Sequence, residues 1–135
     1  MKQFFILLML TILLVACQSK AVAGETVSTT DRSYQNITPT ELHSMLKNKD
    51  FVFINVHVPF AGNIPNTDLS IPYNEIQQNL SQLPEDKDAK IVLYCSSGRM
   101  SQIAAEELVS LGYTNVWNLR GGMVDWQQAG FELEK

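Results

Sequence analysis

The stretch Tyr94-Cys95-Ser96-Ser97-Gly98-Arg99-Met100-Ser101 (YCSSGRMS) decides how this chain is read. It follows an apolar run, KIVLY (Lys90 to Tyr94), and precedes a helical pattern, QIAAEELVSLG. A short run rich in β-branched and aromatic residues suits a strand buried on both faces. From Ser101 to Leu111, the residues Ile103, Ala104, Leu108 and Leu111 recur at helical spacing, and Gly112 is placed to end the helix. The chain therefore turns from strand to helix within a few residues. Gly98 permits unusual dihedrals there, and Ser96 and Ser97 keep the loop small. The N–H groups of such a turn have no intrahelical partners. Converging on the Cys95 sulfur, they form an anion nest that favours the nucleophilic thiolate. Arg99 adds positive charge where an anionic substrate would dock. An isolated cysteine fits an inert core thiol just as well. The strand-end position, the small neighbours and the following helix argue for chemistry.

The same alternation of strand and helix extends in both directions. ITPTELHSMLKN opens with Thr38 as a cap, Pro39 at the first helical position and Glu41 three residues on, the pattern of a capping box. FVFINV, Phe51 to Val56, reads as a buried strand. Pro59, Gly62, Pro65 and Asn66 mark a loop. Ile71-Pro72 reads as a strand remnant, and Ile76, Leu80 and Leu83 as a short helix. TNVWNL is a third strand, Gly121-Gly122 a tight turn and MVDWQQAG a last short helix. This predicts one α/β domain over 36–135, a central parallel sheet flanked by helices. Ligands of such sheets bind beyond the carboxyl ends of the strands, where Cys95 stands.

The chain has 135 residues, a net charge of −4 and no cluster of Lys or Arg, which argues against a nucleic-acid surface. Its first seventeen residues differ from the rest. Lys2 precedes an apolar run from Phe4 to Ala16, shorter than the roughly 20 residues of a membrane-spanning helix, and the pattern is that of a secretory signal. Leu14-Val15-Ala16-Cys17 resembles the bacterial lipobox, which implies a signal peptide over 1–16, cleavage before Cys17 and lipid attachment to its sulfur. A signal anchor left uncut is the other reading. With Cys17 lipidated, Cys95 is the one free thiol. Residues 17–35, polar and rich in Ser, Thr, Ala and Gly, are expected to tether the lipid to the domain. The expected location is a bacterial cell envelope, with the domain facing the periplasm or exterior. Gln18, which is not Asp, favours an outer membrane where there are two.

The motifs IVLYCSSGRMS with AAEELVSLGY, then NVWNLRGGMVDW, together with ITPTEL and the INV strand, resemble the rhodanese-like sulfurtransferase family over about Ile37 to Phe131. The resemblance implies that Cys95 takes a sulfane sulfur from thiosulfate or a persulfide donor and passes it to a thiol or cyanide. It also implies that Ser96, Ser97, Gly98, Arg99 and Met100 form the loop whose amides hold the persulfide, and that no metal or organic cofactor is required. The chain departs from the family pattern in several places, one of them the loop between Val56 and Ile64, which is shorter and lacks the acidic residue usually found there, so that an Arg and its acidic partner are lost together. Asn55-Val56-His57 stands where Asp-Val-Arg is common, and Gly62-Asn63-Ile64-Pro65 where Gly-His-Ile-Pro is common. Met100 occupies a position often held by Arg, which weakens anion binding.

Other residues carry less. His57 follows a strand end and is a candidate proton donor, with packing in the shortened loop as the plainer role. Arg120 is a candidate for the active-site side, or a solvated strand-end charge. His43 has no metal-ligand companions, and Trp117 and Trp126 are read as packing. Two other functions share parts of this pattern. Cysteine phosphatases and arsenate reductases also cradle a thiolate between strand and helix, but the phosphatase spacing C-x-x-x-x-x-R places Ser101 where the Arg belongs. A non-catalytic module that senses sulfur or binds a partner is the remaining alternative.

Overall fold

The computed structural model describes residues 22, 24–29 and 32–135. The signal segment 1–16 and Cys17 lie outside the described residues. Six strands form one sheet: β1 (Glu25–Thr29), β2 (Arg32–Ile37), β3 (Val52–Asn55), β4 (Leu69–Ser70), β5 (Ile91–Tyr94) and β6 (Val116–Leu119), in spatial order β1-β2-β6-β5-β3-β4. All neighbours are parallel except the β1–β2 hairpin. This is the predicted α/β architecture, a mostly parallel sheet between helices.

The two faces follow from the strand period of two. Ile91, Leu93 and Cys95 point to the face covered by helix α2 (Arg99–Ser110), with Ile54, Val56, Ala104, Ala105 and Leu108. Val92 and Tyr94 point to the other face, with Phe53, Leu42, Met123 and Trp126 from helices α1 (Pro39–Leu46) and α3 (Gly122–Gln128). Every residue of β5 and β6 is buried, as a central strand covered on both sides requires. Helix α1 starts where the sequence places it. The Thr38 hydroxyl accepts from the Glu41 N–H at 3.2 Å, and the Glu41 carboxylate accepts from the Thr38 N–H at 2.8 Å. A cap of this kind contributes about 1 kcal/mol. The short helix expected near Ile76–Leu83 is a 3-10 helix, Gln77–Gln82.

The structure corrects the tether. Within 17–35, residues Glu25–Thr29 form β1, and residues from Arg32 onward belong to β2, with Glu25 opposite Asn36 and Val27 opposite Tyr34. Tyr34 is 2% exposed and belongs to the core. The Ser- and Thr-rich composition reflects an edge hairpin with one side in solvent, where β-branched polar residues are at home. The strand remnant expected at Ile71-Pro72 lies two residues earlier, in β4, because Pro72 has no N–H for the ladder.

Candidate active site

The carboxyl ends of β5 and β6 deliver two loops that close on each other. In the first, Cys95 is 1% exposed. The Gly98 N–H donates to its Sγ at 3.0 Å, and the Ser101 hydroxyl lies 3.4 Å from the same sulfur. Gly98 adopts φ +99°, which turns its N–H back toward the sulfur before α2 begins. An L side chain is disfavoured in that conformation. Ser101 is fully buried, and its hydroxyl also lies 3.1 Å from the Gly98 carbonyl. Both groups that reach the sulfur thus come from the loop and the first turn of α2.

The second loop, Gly121-Gly122, backs the first. Met123 N–H donates to the Cys95 carbonyl at 2.8 Å, and Val124 N–H to the Ser96 carbonyl at 2.9 Å. The first turn of α3 therefore uses its free amides to clamp the cysteine loop. A Cβ on Gly122 would lie 2.3 Å from the Cys95 carbonyl oxygen, so glycine is a condition of the close approach.

Ser97 and Arg99 are exposed, Ser96 and Met100 half-buried, and Met100 packs against the apolar cluster beneath α2. The loop residues expected around Cys95 are together, with Arg99 as the cation of the loop. Arg120 points elsewhere: its guanidinium pairs with Glu25 of the hairpin at 2.9 Å, and both side chains are more than 60% exposed. His57 has no contact with Cys95 among its hydrogen bonds. Its main-chain N–H donates to the Asn55 side chain at 3.0 Å, and its Nδ1 is buried without a partner. His43 stacks on Phe131 at 4.3 Å, at the rim of a groove of about 470 Å³ on the α1–α3 side that Cys95 does not line.

The departures in the β3 loop resolve into a neutral network. Asn55 is 2% exposed. Its amide donates to the Gly62 carbonyl at 2.9 Å and to the Asn63 side chain at 3.0 Å. Tyr94 extends the network. Its hydroxyl accepts from the Ile64 N–H at 3.0 Å, donates to Asn63 at 3.2 Å and lies 2.7 Å from the Thr67 hydroxyl. Burial raises the Tyr94 pKa above the ordinary tyrosine value. Sequence reasoning missed Ser101, which it read only as the place of an absent Arg, and gave the Gly-Gly pair a turn but no target. Two glycines one residue after a buried strand were the available signal.

With this geometry in place, the comparisons with known proteins agree. Residues 38–129 match the rhodanese-like domain family. A sulfurtransferase of Allochromatium vinosum is 34% identical over 88 residues, spanning 63% of this chain and 79% of that protein. A rhodanese-like domain protein of Staphylococcus aureus superposes with a TM-score of 0.61 at 30% identity, covering 74% of this chain and 98% of that one. A tRNA uridine(34) hydroxylase of Hamiltonella defensa is 28% identical over 99 residues, 68% of this chain but only 28% of the hydroxylase. The chain belongs to the rhodanese-like family.

Proposed function

We propose that the protein is a sulfurtransferase acting through a Cys95 persulfide. The observation that carries the reading is the Gly98 N–H at 3.0 Å from Cys95 Sγ, with the Ser101 hydroxyl behind it. Hydrogen-bond donors aimed at a sulfur stabilise negative charge on it, as in the thiolate that attacks the donor and is restored when the persulfide is discharged. In the first half-reaction the Cys95 thiolate attacks the outer sulfur of thiosulfate. The sulfur–sulfur bond of thiosulfate breaks, sulfite leaves with the bonding pair, and Cys95 carries a persulfide. In the second half-reaction a thiolate or cyanide attacks the terminal sulfur and Cys95 regains its charge. A persulfide donor enters the same cycle with a thiol as leaving group. Arg99 attracts anionic donors, while the apolar Met100 favours donors less charged than thiosulfate.

The reading includes a lipid anchor at Cys17, which places the domain in a bacterial cell envelope. The deciding experiment is intact mass spectrometry of residues 18–135 after exposure to thiosulfate, beside Cys95→Ser. Gain of one sulfur atom, absent in the variant and reversed by cyanide, supports the proposal. Gain only from glutathione persulfide keeps the sulfurtransferase and identifies the donor class. No adduct from either donor refutes the sulfurtransferase and leaves the non-catalytic sulfur-sensing or partner-binding module.

A further inference from the structure

The chain enters the domain at the end of the sheet that carries Cys95. Glu25 is in register with Asn36 and Asn36 with Asn118, so Gly24 stands level with Leu119 at the carboxyl end of β6. The Glu25–Arg120 ion pair closes that corner, and Val22 packs against the apolar cluster beneath α1 and α3. Strand β1 is three positions from β5 in the sheet, about 14 Å at ordinary strand spacing.

Chain length sets the reach of an anchor at Cys17. Five residues of extended chain from Cys17 to Val22 span at most about 18 Å. A domain of about 100 residues has a radius of gyration of about 13 Å, which corresponds to a body about 33 Å across. The connection is therefore too short to pass from the Cys95 end of the sheet to the opposite end.

The two ends also differ in chemistry. Val58 and Phe60, in the loop after β3, are 38% and 61% exposed, and Val124, at the start of α3, is 42% exposed. All three lie in segments that leave the carboxyl ends of β3 and β6, whereas the other exposed apolar residues, Leu80 and Ile103, lie on the 3-10 helix and on α2. The opposite end presents Glu85, Asp86, Lys87 and Asp88 to solvent ahead of β5.

We propose that the end of the domain bearing Cys95 is held against the lipid bilayer, with Val58, Phe60 and Val124 at the interface. The proposal rests on the reading of Cys17 as the site of acylation. The protein is acidic, so the acyl chains supply the attachment and the apolar side chains the orientation. Sulfur donors and acceptors then meet Cys95 in the thin layer next to the membrane.

The test uses the full-length acylated chain in the Cys95→Ser background, reconstituted into phosphatidylethanolamine/phosphatidylglycerol vesicles containing doxyl lipid. A fluorophore is attached through Ala61→Cys, beside Phe60, or through Glu85→Cys at the far end. Strong quenching at position 61 with none at 85 is the expected result. Equal quenching at both positions, or none at either, overturns the orientation. Radiolabelled fatty acid should enter the wild type and not Cys17→Ala. Its absence from the wild type overturns the proposal at the anchor, an outcome distinct from an acylated protein whose label at 61 stays unquenched. Neither failure touches sulfur loading of Cys95, which is measured in solution.

Discussion

Replacing Gly122 with alanine tests whether the two loops form one unit. The added Cβ would fall 2.3 Å from the Cys95 carbonyl oxygen and 2.7 Å from the carbonyl carbon and oxygen of Ser96. Relief to an ordinary contact requires the cysteine loop to retreat by about 1 Å. That retreat strains the hydrogen bonds from Met123 N–H and Val124 N–H, each contributing about 0.5–1.5 kcal/mol net. The φ of +58° at this position adds about 1–2 kcal/mol for an L-residue. The expected destabilisation is the sum, about 2–5 kcal/mol. Gly112→Ala is the control, because Gly112 has φ +96° and nothing within 4 Å of the added Cβ. It carries the strain of about 1–2 kcal/mol without the clash. Urea unfolding followed by tryptophan fluorescence should place Gly122→Ala below Gly112→Ala by about 1–3 kcal/mol at equal m-value. Single-turnover sulfur loading of Cys95 should slow by up to about a hundredfold in Gly122→Ala alone, since a shift of about 1 Å at a reacting group has that effect. If the two variants are equally stable and both load at the wild-type rate, the clamp between the loops is not holding the sulfur site.

Other perturbations separate the remaining contributions. Ser101→Ala should fold normally and load sulfur up to about tenfold more slowly, the kinetic equivalent of one hydrogen bond; an unchanged single-turnover rate would remove the hydroxyl from the site. Met100→Arg should raise kcat/KM for thiosulfate without a matching gain for glutathione persulfide, and equal gains would show that charge at this position does not select the donor. Tyr94→Phe strands the Ile64 N–H and should destabilise by about 1–3 kcal/mol in urea unfolding. The native state favours the neutral Tyr94 hydroxyl, so this contribution is complete below the ordinary tyrosine pKa of about 10 and is lost as pH rises through the higher native value. Wild type should therefore lose stability more steeply than the Phe variant above that pH, and parallel curves would count against the assignment. In the hairpin, Glu25→Ala should cost less than about 1 kcal/mol because the pair is exposed, whereas Tyr34→Ala should cost about 3–5 kcal/mol as an aromatic core deletion. The reverse order in thermal or urea unfolding would show that the ion pair holds the hairpin.

What the sequence reveals depends on how local each cause is. Strand β5 is legible because burial on both faces leaves an unbroken apolar run, and α1 because its cap is made by residues three apart. The hairpin is not legible. Its edge position leaves Thr26 and Ser33 exposed, the composition of a linker, and only the distant β6 edge makes Tyr34 a core residue. Ser101 escapes notice because its hydroxyl faces the sulfur only after the loop folds back through Gly98. His57 is a different case: its strand-end position suggested the active site, and its backbone N–H bonds to Asn55.

The Asn55 network bears on substrate choice. A buried ion pair imposes desolvation on both charges, and losing one partner would leave the other exposed to that penalty. Here Asn55, Asn63, Tyr94 and Thr67 satisfy one another without net charge, while the ion pair that the loop does carry, Asp68 with Lys49 at 2.6 Å, stands apart at the entry to β4. That loop lies beside the Cys95 loop, since Val56 N–H donates to the Tyr94 carbonyl at 2.9 Å. The field around the sulfur then comes from the Gly98 amide, the Ser101 hydroxyl and the exposed Arg99. The amide and hydroxyl reach the Cys95 sulfur itself, so they do not distinguish one sulfur donor from another. Discrimination between donors falls to the charge of the loop, where Arg99 is exposed and Met100, packed against the apolar cluster, adds none. On the proposed reaction a site with so little positive charge grips a dianion weakly, so persulfide donors should outperform thiosulfate at equal concentration.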